Sequence, residues 1–355
     1  MADSDTAQSL RGGLTAKRVE RGRRLAGELT RGAGWGLRGG WHLLQGHHGA
    51  ALAEAARIVR GVQPARESMR TYQLVDRLLS RSGSALADWR PDEQSPQRFV
   101  FFVGYSRSGH SLVGSLLDAH PSVVIAHEMH ALKHLYRGYP FDQVVRAIKL
   151  NAMLFDYLGR EYTGYDYQVP GQSQGRYEQL AVVGDKKGNG TLRLLRRYPE
   201  LIDRLDTLLP MPFEFIHVIR NPWDNIATRA RRTNTSLESA ARGYLANTDL
   251  MARLKARYPD QVRDVYLDDL IHDPRQTLST LLEALGCTPV TESYLDACAS
   301  IVFRKPSRTG AQVSWPAALT REVEASLARH DFLQRFAEAS YAPARRQSQG
   351  HGVDS

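Results

Sequence analysis

The chain has 355 residues, with 47 Lys+Arg against 38 Asp+Glu and a formal net charge of +9. That length buries a sizeable core and suits one large α/β domain with appendages, while the charge fits an anionic ligand or surface and nucleic acid is not expected as a partner. Cys287 and Cys298 are the only cysteines, which excludes a disulfide framework, a cysteine zinc site and a redox pair; no apolar run spans a bilayer and no signal-peptide pattern opens the chain, so it reads as soluble and cytoplasmic.

Residues 1–97 are basic, with 15 Lys+Arg against 10 Asp+Glu, and a glycine-rich stretch interrupted by Trp35, Trp41 and Leu43. Helical periodicity falls around 50–62 and again around 72–86. A helical arm packed on the core or on a second subunit is the preferred reading. The alternative is peripheral contact with an anionic membrane, because a basic segment bearing aromatics suits that surface.

From 98 to 341, short apolar runs alternate with helical stretches, which predicts a central parallel sheet flanked by helices. Strands are expected near Phe99–Val103, Val123–Ala126, Ala181–Val183, Phe213–Ile219 and Asp264–Tyr266. The run Arg98-Phe-Val-Phe-Phe-Val-Gly-Tyr-Ser-Arg-Ser-Gly-His-Ser111 reads as strand, phosphate-sized loop and helix start. Amides there converge where the helix dipole is positive, an arrangement suited to an anion. Gly104, Gly109 and Ser111 have Walker A spacing, but His110 stands where that motif needs lysine. Arg107 is the strong cation of the loop.

Aromatics Tyr136, Tyr139, Phe141, Phe155, Tyr157, Tyr162, Tyr165 and Tyr167 crowd the stretch from His130 to Gln179, as core or as an acceptor wall. Val183-Gly-Asp-Lys-Lys-Gly-Asn-Gly190 puts Lys186 and Lys187 at a strand's carboxyl end, facing the ligand crevice of such sheets; one of the two is open to a reading as solvated surface. Phe213 to Arg229 reads as a buried strand ending at Arg220, an Asn221 cap, Pro222 at the helix start and Thr228 two turns on. Arg220 and Thr228 are then placed to meet one phosphate. Leu278, Leu281, Leu282 and Leu285 form the apolar face of a later helix. The tail 342–355 is polar and is expected to be flexible.

In order and combination these segments resemble the sulfotransferases that use 3′-phosphoadenosine 5′-phosphosulfate (PAPS). The loop Arg107-Ser108-Gly109-His110-Ser111 is similar to that family's 5′-phosphosulfate loop. Arg220 and Thr228 match its 3′-phosphate pair, and Tyr266-Leu-Asp-Asp-Leu270 through Pro274 is also family-like. The resemblance runs from about 98 to 317. Leu117-Asp-Ala-His-Pro121, followed by a short strand, looks most like the protein-tyrosine and carbohydrate branches. It implies a base at Glu128 and a lysine on the transferring group at Lys186. Arg304 to Trp315 resembles the loop that closes over the nucleotide, with Ser307 and Arg308 as phosphate contacts.

The resemblance therefore implies a P-loop-like three-layer α/β fold that transfers sulfuryl from PAPS to a hydroxyl. A carbohydrate, glycolipid or other small molecule would be the acceptor, 3′-phosphoadenosine 5′-phosphate (PAP) the product, and no metal is expected. Catalysis is assigned to Glu128, Lys186 and Arg107. The cofactor contacts are assigned to Arg107, Ser108, Gly109, His110, Ser111, Arg220, Thr228, Ser307 and Arg308. His127 and Asp185 are expected to support the site, and the His110 ring to pack rather than touch the acceptor. A P-loop kinase using Mg-ATP and a non-catalytic nucleotide-binding protein are the alternatives, and an oligomer is compatible with either reading.

Overall fold

A computed structural model of the protein describes residues 94–158, 165 and 167–337. Most of the expected 1–97 extension and all of the 342–355 tail lie outside the described residues. Five strands, β1 (Arg98–Gly104), β2 (Val123–His127), β3 (Val182–Lys186), β4 (Phe213–Ile219) and β5 (Val262–Tyr266), form one sheet in the order β2-β3-β1-β4-β5. Every pairing is parallel. Parallel strands are covered on both faces, which is why β1 is an unbroken apolar run whose Phe99 to Val103 are all at most 1 % exposed.

Alternate residues of β1 serve two cores. Phe99, Phe101 and Val103 face α2 (Ala131–Tyr136), α3 (Phe141–Leu158), α4 (Gly188–Arg197), α5 (Leu201–Leu208), α6 (Pro222–Thr233) and α7 (Leu237–Arg257), with α11 (Ala317–Arg329) and α12 (Asp331–Gln334) completing that layer. Val100 and Phe102 face α1 (His110–Asp118), α8 (Leu267–His272), α9 (Pro274–Ala284) and α10 (Glu292–Ile301). Each buried phenylalanine contributes about 1.5–3 kcal/mol.

The helix starts follow the sequence logic. Asn221 Oδ1 accepts from the amides of Trp223 (3.0 Å) and Asp224 (3.4 Å) with Pro222 in the first turn. Asp273 likewise caps α9 ahead of Pro274, and Leu278, Leu281 and Leu282 of that helix are buried. All five strands fall where expected, but β3 extends beyond Val183 to Lys186. Gly184 and Asp185 are weak strand formers. In a central position they are held by partners on both sides, Val100 and Phe101 of β1 and Ile125 and Ala126 of β2.

This order positions the site. The carboxyl ends of the neighbouring strands β2, β3, β1 and β4 carry, in that spatial sequence, Glu128, Lys186, the 105–109 loop and Arg220. Adjacent strands lie about 4.8 Å apart, so four such ends span roughly 15 Å. That edge, where the chain order reverses about β1, is the usual ligand crevice of an open α/β sheet.

Candidate active site

The loop after β1 is built on left-handed backbone: Gly104 at φ 129°, Arg107 at 72° and Gly109 at 100°. Gly109 caps α1, and the first intrahelical bond shown there runs from Val113 N to Gly109 O at 3.1 Å. The leading amides of α1 have no acceptor inside the helix and stand at its positive end. Asn225 of α6 pins the loop, its Nδ2 donating to Ser106 O and Ser108 Oγ, each at 3.0 Å. The Ser108 side chain is buried, whereas Arg107 is exposed.

His110 points back into the protein. Its Nε2–H donates to Val103 O at 3.1 Å and its ring lies edge-on to Phe102. Burial lowers its pKa to about 4, so the ring is neutral. Packing, rather than acceptor contact, is the role its ring takes.

Two lysines converge on Glu128. Lys186 Nζ donates to Glu128 Oε1 (2.6 Å) and to Ser111 Oγ (3.1 Å), and it lies 4.6 Å from the centre of the Tyr165 ring. Lys187 Nζ donates to Glu128 Oε2 at 2.5 Å. Neither lysine is solvated surface, which corrects that sequence reading: Lys186 is 0 % and Lys187 8 % exposed. Burial pushes the Glu128 carboxyl up, but the two ammonium groups outweigh it and hold the group well below the usual carboxylate range. Lys186 is raised in turn, the attraction of Glu128 overcoming its own burial. Gly114 of α1 leaves room for the Lys186 stem, since a Cβ there would lie 2.8 Å from Lys186 Cγ.

The turn that presents Glu128 is strained, with Glu128 at φ 61° and His130 at φ 70°. Asp185 holds it in place: Oδ1 accepts from Met129 N at 3.0 Å and Oδ2 from Ala131 N at 2.7 Å. Asp185 and His127 are thus supports. His127 stacks on Phe155 at 3.7 Å and its Nδ1 is 3.2 Å from the Tyr165 hydroxyl, a bond that aims the phenol beside Lys186. Among the described residues no three His, Cys, Asp or Glu are grouped to hold a metal ion.

At the other end, Arg220 is 9 % exposed and donates to Arg107 O (3.2 Å), Ser307 O (3.0 Å) and Thr309 Oγ1 (3.3 Å). Thr228 Oγ1 donates to Thr309 Oγ1 at 2.7 Å, and that hydroxyl donates onward to Asp224 O at 2.9 Å. Arg220 and Thr228 therefore share one site, joined through Thr309, which the sequence reading missed. Ser307 contributes its carbonyl there. Arg308 is half exposed and stands 3.6 Å from Asp268 and 3.8 Å from Asp224. Gly310 N and the Trp315 indole fasten this late loop to the start of α6.

Two cradles of N–H, hydroxyl and cationic donors, joined where Arg220 donates to Arg107 O, with a lysine-paired carboxylate beside the first, are the chemistry of an anion-transfer site. The sequence model of the sulfotransferase family matches residues 100–292, more than half of the 355-residue chain. The chain belongs to the sulfotransferase family. It is a PAPS-dependent sulfotransferase, and the kinase and binding-protein alternatives fall away.

Solved sulfotransferases are similar to it at low identity. The sulfotransferase domain of the Synechococcus PCC 7002 olefin synthase is 18 % identical, covers 71 % of this chain and 97 % of its own, and gives a TM-score of 0.39. Sulfotransferase STF9 from Mycobacterium avium is 11 % identical, with 80 % and 91 % covered and a TM-score of 0.40. Mouse sulfotransferase SULT7A1, complexed with PAP, is 11 % identical, with 70 % and 90 % covered and a TM-score of 0.39. No curated protein matches the chain. No described helix is long and apolar enough to cross a membrane.

Thr309 is a site residue that sequence reasoning left without a role, while Lys187 entered it only as a partner of Lys186 at the strand end and Tyr165 only as one of the crowded aromatics. The doubled lysine was the available signal for Lys187. Tyr165 and Thr309 carry no local signature and reach the site only through the fold. The other predicted aromatics divide: Phe155 is core, Tyr136, Tyr139 and Phe141 pack against the core, and Tyr167 meets Phe303. The Tyr157 side chain and Tyr162 lie outside the described residues.

Proposed function

We propose that residues 98–341 form the catalytic domain and move a sulfuryl group from PAPS to a hydroxyl of a carbohydrate, glycolipid or other small acceptor, with Glu128 as the base. The observation that carries this reading is the Glu128–Lys186–Ser111 contact, which ties a carboxylate to the amide cradle at the head of α1. The donor set suits a bisphosphate: cations, amides and hydroxyls, with Asn225 fixing the loop and Thr309 joining Arg220 to Thr228. PAPS, when bound, supplies a sulfuryl group on a phosphate leaving group.

Arg107, Ser108, Gly109, the His110 and Ser111 amides and Lys186 would hold the 5′ end. Arg220, Thr228, Ser307 and Arg308 would hold the 3′ phosphate. Glu128 is 28 % exposed at its side chain, so an acceptor hydroxyl can reach it. Ionised by its two lysines, it takes the hydroxyl proton on a carboxylate oxygen, a role worth about 10²–10⁴-fold in rate. Lys186 and the loop amides stand ready for negative charge without reorganising, which is the larger electrostatic contribution.

Calorimetric titration with PAP, ATP and ADP, with and without magnesium, tests the reading on wild type and Arg220→Ala. PAP should bind without metal and lose about 10- to 100-fold in the variant, the worth of a charged hydrogen bond to phosphate. Magnesium-dependent ATP binding with no preference for a 3′ phosphate would overturn it.

A further inference from the structure

Away from the donor cradles, three arginines gather, and among the described residues no carboxylate pairs with any of them. Arg229 of α6 is partly buried and lies flat on α7 at Gly243, where a Cβ would sit 2.6–2.9 Å from its guanidinium. One turn further along α7, Asn247 Nδ2 donates to Asn189 Oδ1 of α4 at 2.9 Å. Positions four residues apart share a helix face, so α4 and α6 are drawn onto one face of α7. On α4, Arg193 and Arg196 follow Asn189 at i+4 and i+7, on the stripe that meets α7. Both are exposed, and their charges act with burial against the Arg229 guanidinium.

The carboxylates of these helices are engaged elsewhere. Helix α4 has none. On α6, Asp224 accepts from Gly310 N; on α7, Glu238 sits at the helix start near Arg242 and Asp249 pairs with His330. None of the three arginines has an ion pair among the described residues. A partly desolvated guanidinium beside two like charges costs stability, and proteins keep such arrangements where a ligand supplies the missing charge.

We propose that Arg193, Arg196 and Arg229 form a second anion site, which takes a sulfate or phosphate ester carried by the acceptor. The anion site stands on its own geometry; only the acceptor as its source rests on the sulfuryl-transfer reading. Helix α4 begins directly after Lys186 and Lys187, so the two arginines lie roughly 8 and 12 Å along its axis from the site, within one extended molecule's reach. An acceptor already bearing an ester anion would then be anchored at a distance from its reacting hydroxyl. Planar guanidinium forks are the expected tool for such oxyanions.

The test uses the full chain, with sucrose octasulfate as a soluble sulfate-ester probe, phosphatidylcholine vesicles with and without phosphatidylserine, and PAP. The octasulfate should bind wild type in a salt-sensitive way and lose about tenfold or more in Arg229→Met. Gly243→Ala, which displaces the guanidinium at unchanged net charge, should lose affinity similarly. PAP binding should be unchanged in both variants, so failure of the donor site would be read separately. The melting temperature of Arg229→Met should rise by roughly 1–3 °C, because an uncompensated charge is removed. A fall in melting temperature would make Arg229 structural and overturn the proposal. Undiminished octasulfate binding in both variants would do the same. Vesicle binding that depends on phosphatidylserine and on Arg229 would assign the cluster to a membrane and overturn the acceptor source.

Discussion

Glu128 stands at φ 61°, a left-handed conformation that costs of order 1–3 kcal/mol in a non-glycine residue. The two amide bonds of Asp185 to Met129 and Ala131 fix the turn, so that the carboxylate meets both lysines at once. Lys186 also reaches Ser111, at the head of the amide cradle, whereas the contact shown for Lys187 is Glu128 alone. The two lysines are therefore not equivalent. Lys187 tunes the carboxylate while Lys186 also serves the donor end. Lys187→Met should move the Glu128 titration up by about one pH unit or more, with PAP affinity near wild type. Carbon-13 NMR of glutamate-labelled protein at pH 7, where the fold is intact, with Glu128→Gln to identify the signal, reads the loss of the second ammonium as a changed Glu128 carboxyl shift. An unmoved Glu128 signal would leave Lys187 only a packing role. The sign follows from the ion pairs: they favour the carboxylate, so their contribution is present above the ordinary glutamate pKa and is lost as the pH falls.

Between elements, close approaches decide what can change. Helix α4 starts against the buried ring of His110, and a Cβ at Gly188 would lie 2.4 Å from His110 Nε2. The ring cannot swing away without giving up its bond to Val103 O. Gly188→Ala should therefore destabilise by about 1–3 kcal/mol, the usual cost of overpacking, although alanine is the better helix former. Urea unfolding measures it, and a stabilised variant would show that α4 shifts freely. This contact also marks where sequence reading ends. The apolar runs of β1 and β4, the Asn221-Pro222 start and the Leu278–Leu282 face were legible because each signal is local. The Arg107–Ser111 loop and the Lys186 and Arg220 strand ends were legible because parallel strands direct their carboxyl ends to one edge, whereas Glu128 was named only through the family resemblance. Thr309 joins Arg220 across 89 residues of chain, and Tyr165 meets His127 across 38. Pairings of that kind are set by the tertiary fold and leave no periodic trace. Gly184 and Asp185 fall beyond the strand expected at Ala181–Val183 and are strand, since a central ladder overrides weak propensity.

For the molecule as a whole, the buried histidines set acid tolerance. Desolvation lowers the pKa of His110 and His120 to about 4 and also depresses His127 and His217, the latter two against the pull of Asp118 and Asp264. The geometry agrees: His120 Nδ1 accepts from the Ser122 amide, which a protonated nitrogen cannot do. A histidine depressed on folding takes up its proton first in the unfolded chain. Its stabilisation is complete above the ordinary histidine pKa of about 6.5 and is lost as the pH falls toward 4, at about 1.4 kcal/mol per pH unit. Asp185 works in the opposite sense. Burial raises its pKa to about 6, so lowering the pH below that value relieves a buried charge. Burial raises Asp224 as well, but two aspartates do not balance four rings. His110 and His120 alone remove about 5 kcal/mol between pH 6.5 and 4.5, a large share of the ~5–15 kcal/mol typical of a folded protein. Urea unfolding should therefore give a stability that declines steadily below pH 6.5, with acid unfolding between about pH 4 and 5. Because the groups are buried, added salt should change this decline little. A profile flat from pH 7 to 4.5 would mean that these rings are protonated in the folded state, and that the contacts of His110 with Val103 and of His120 with Ser122 open without cost to the sheet.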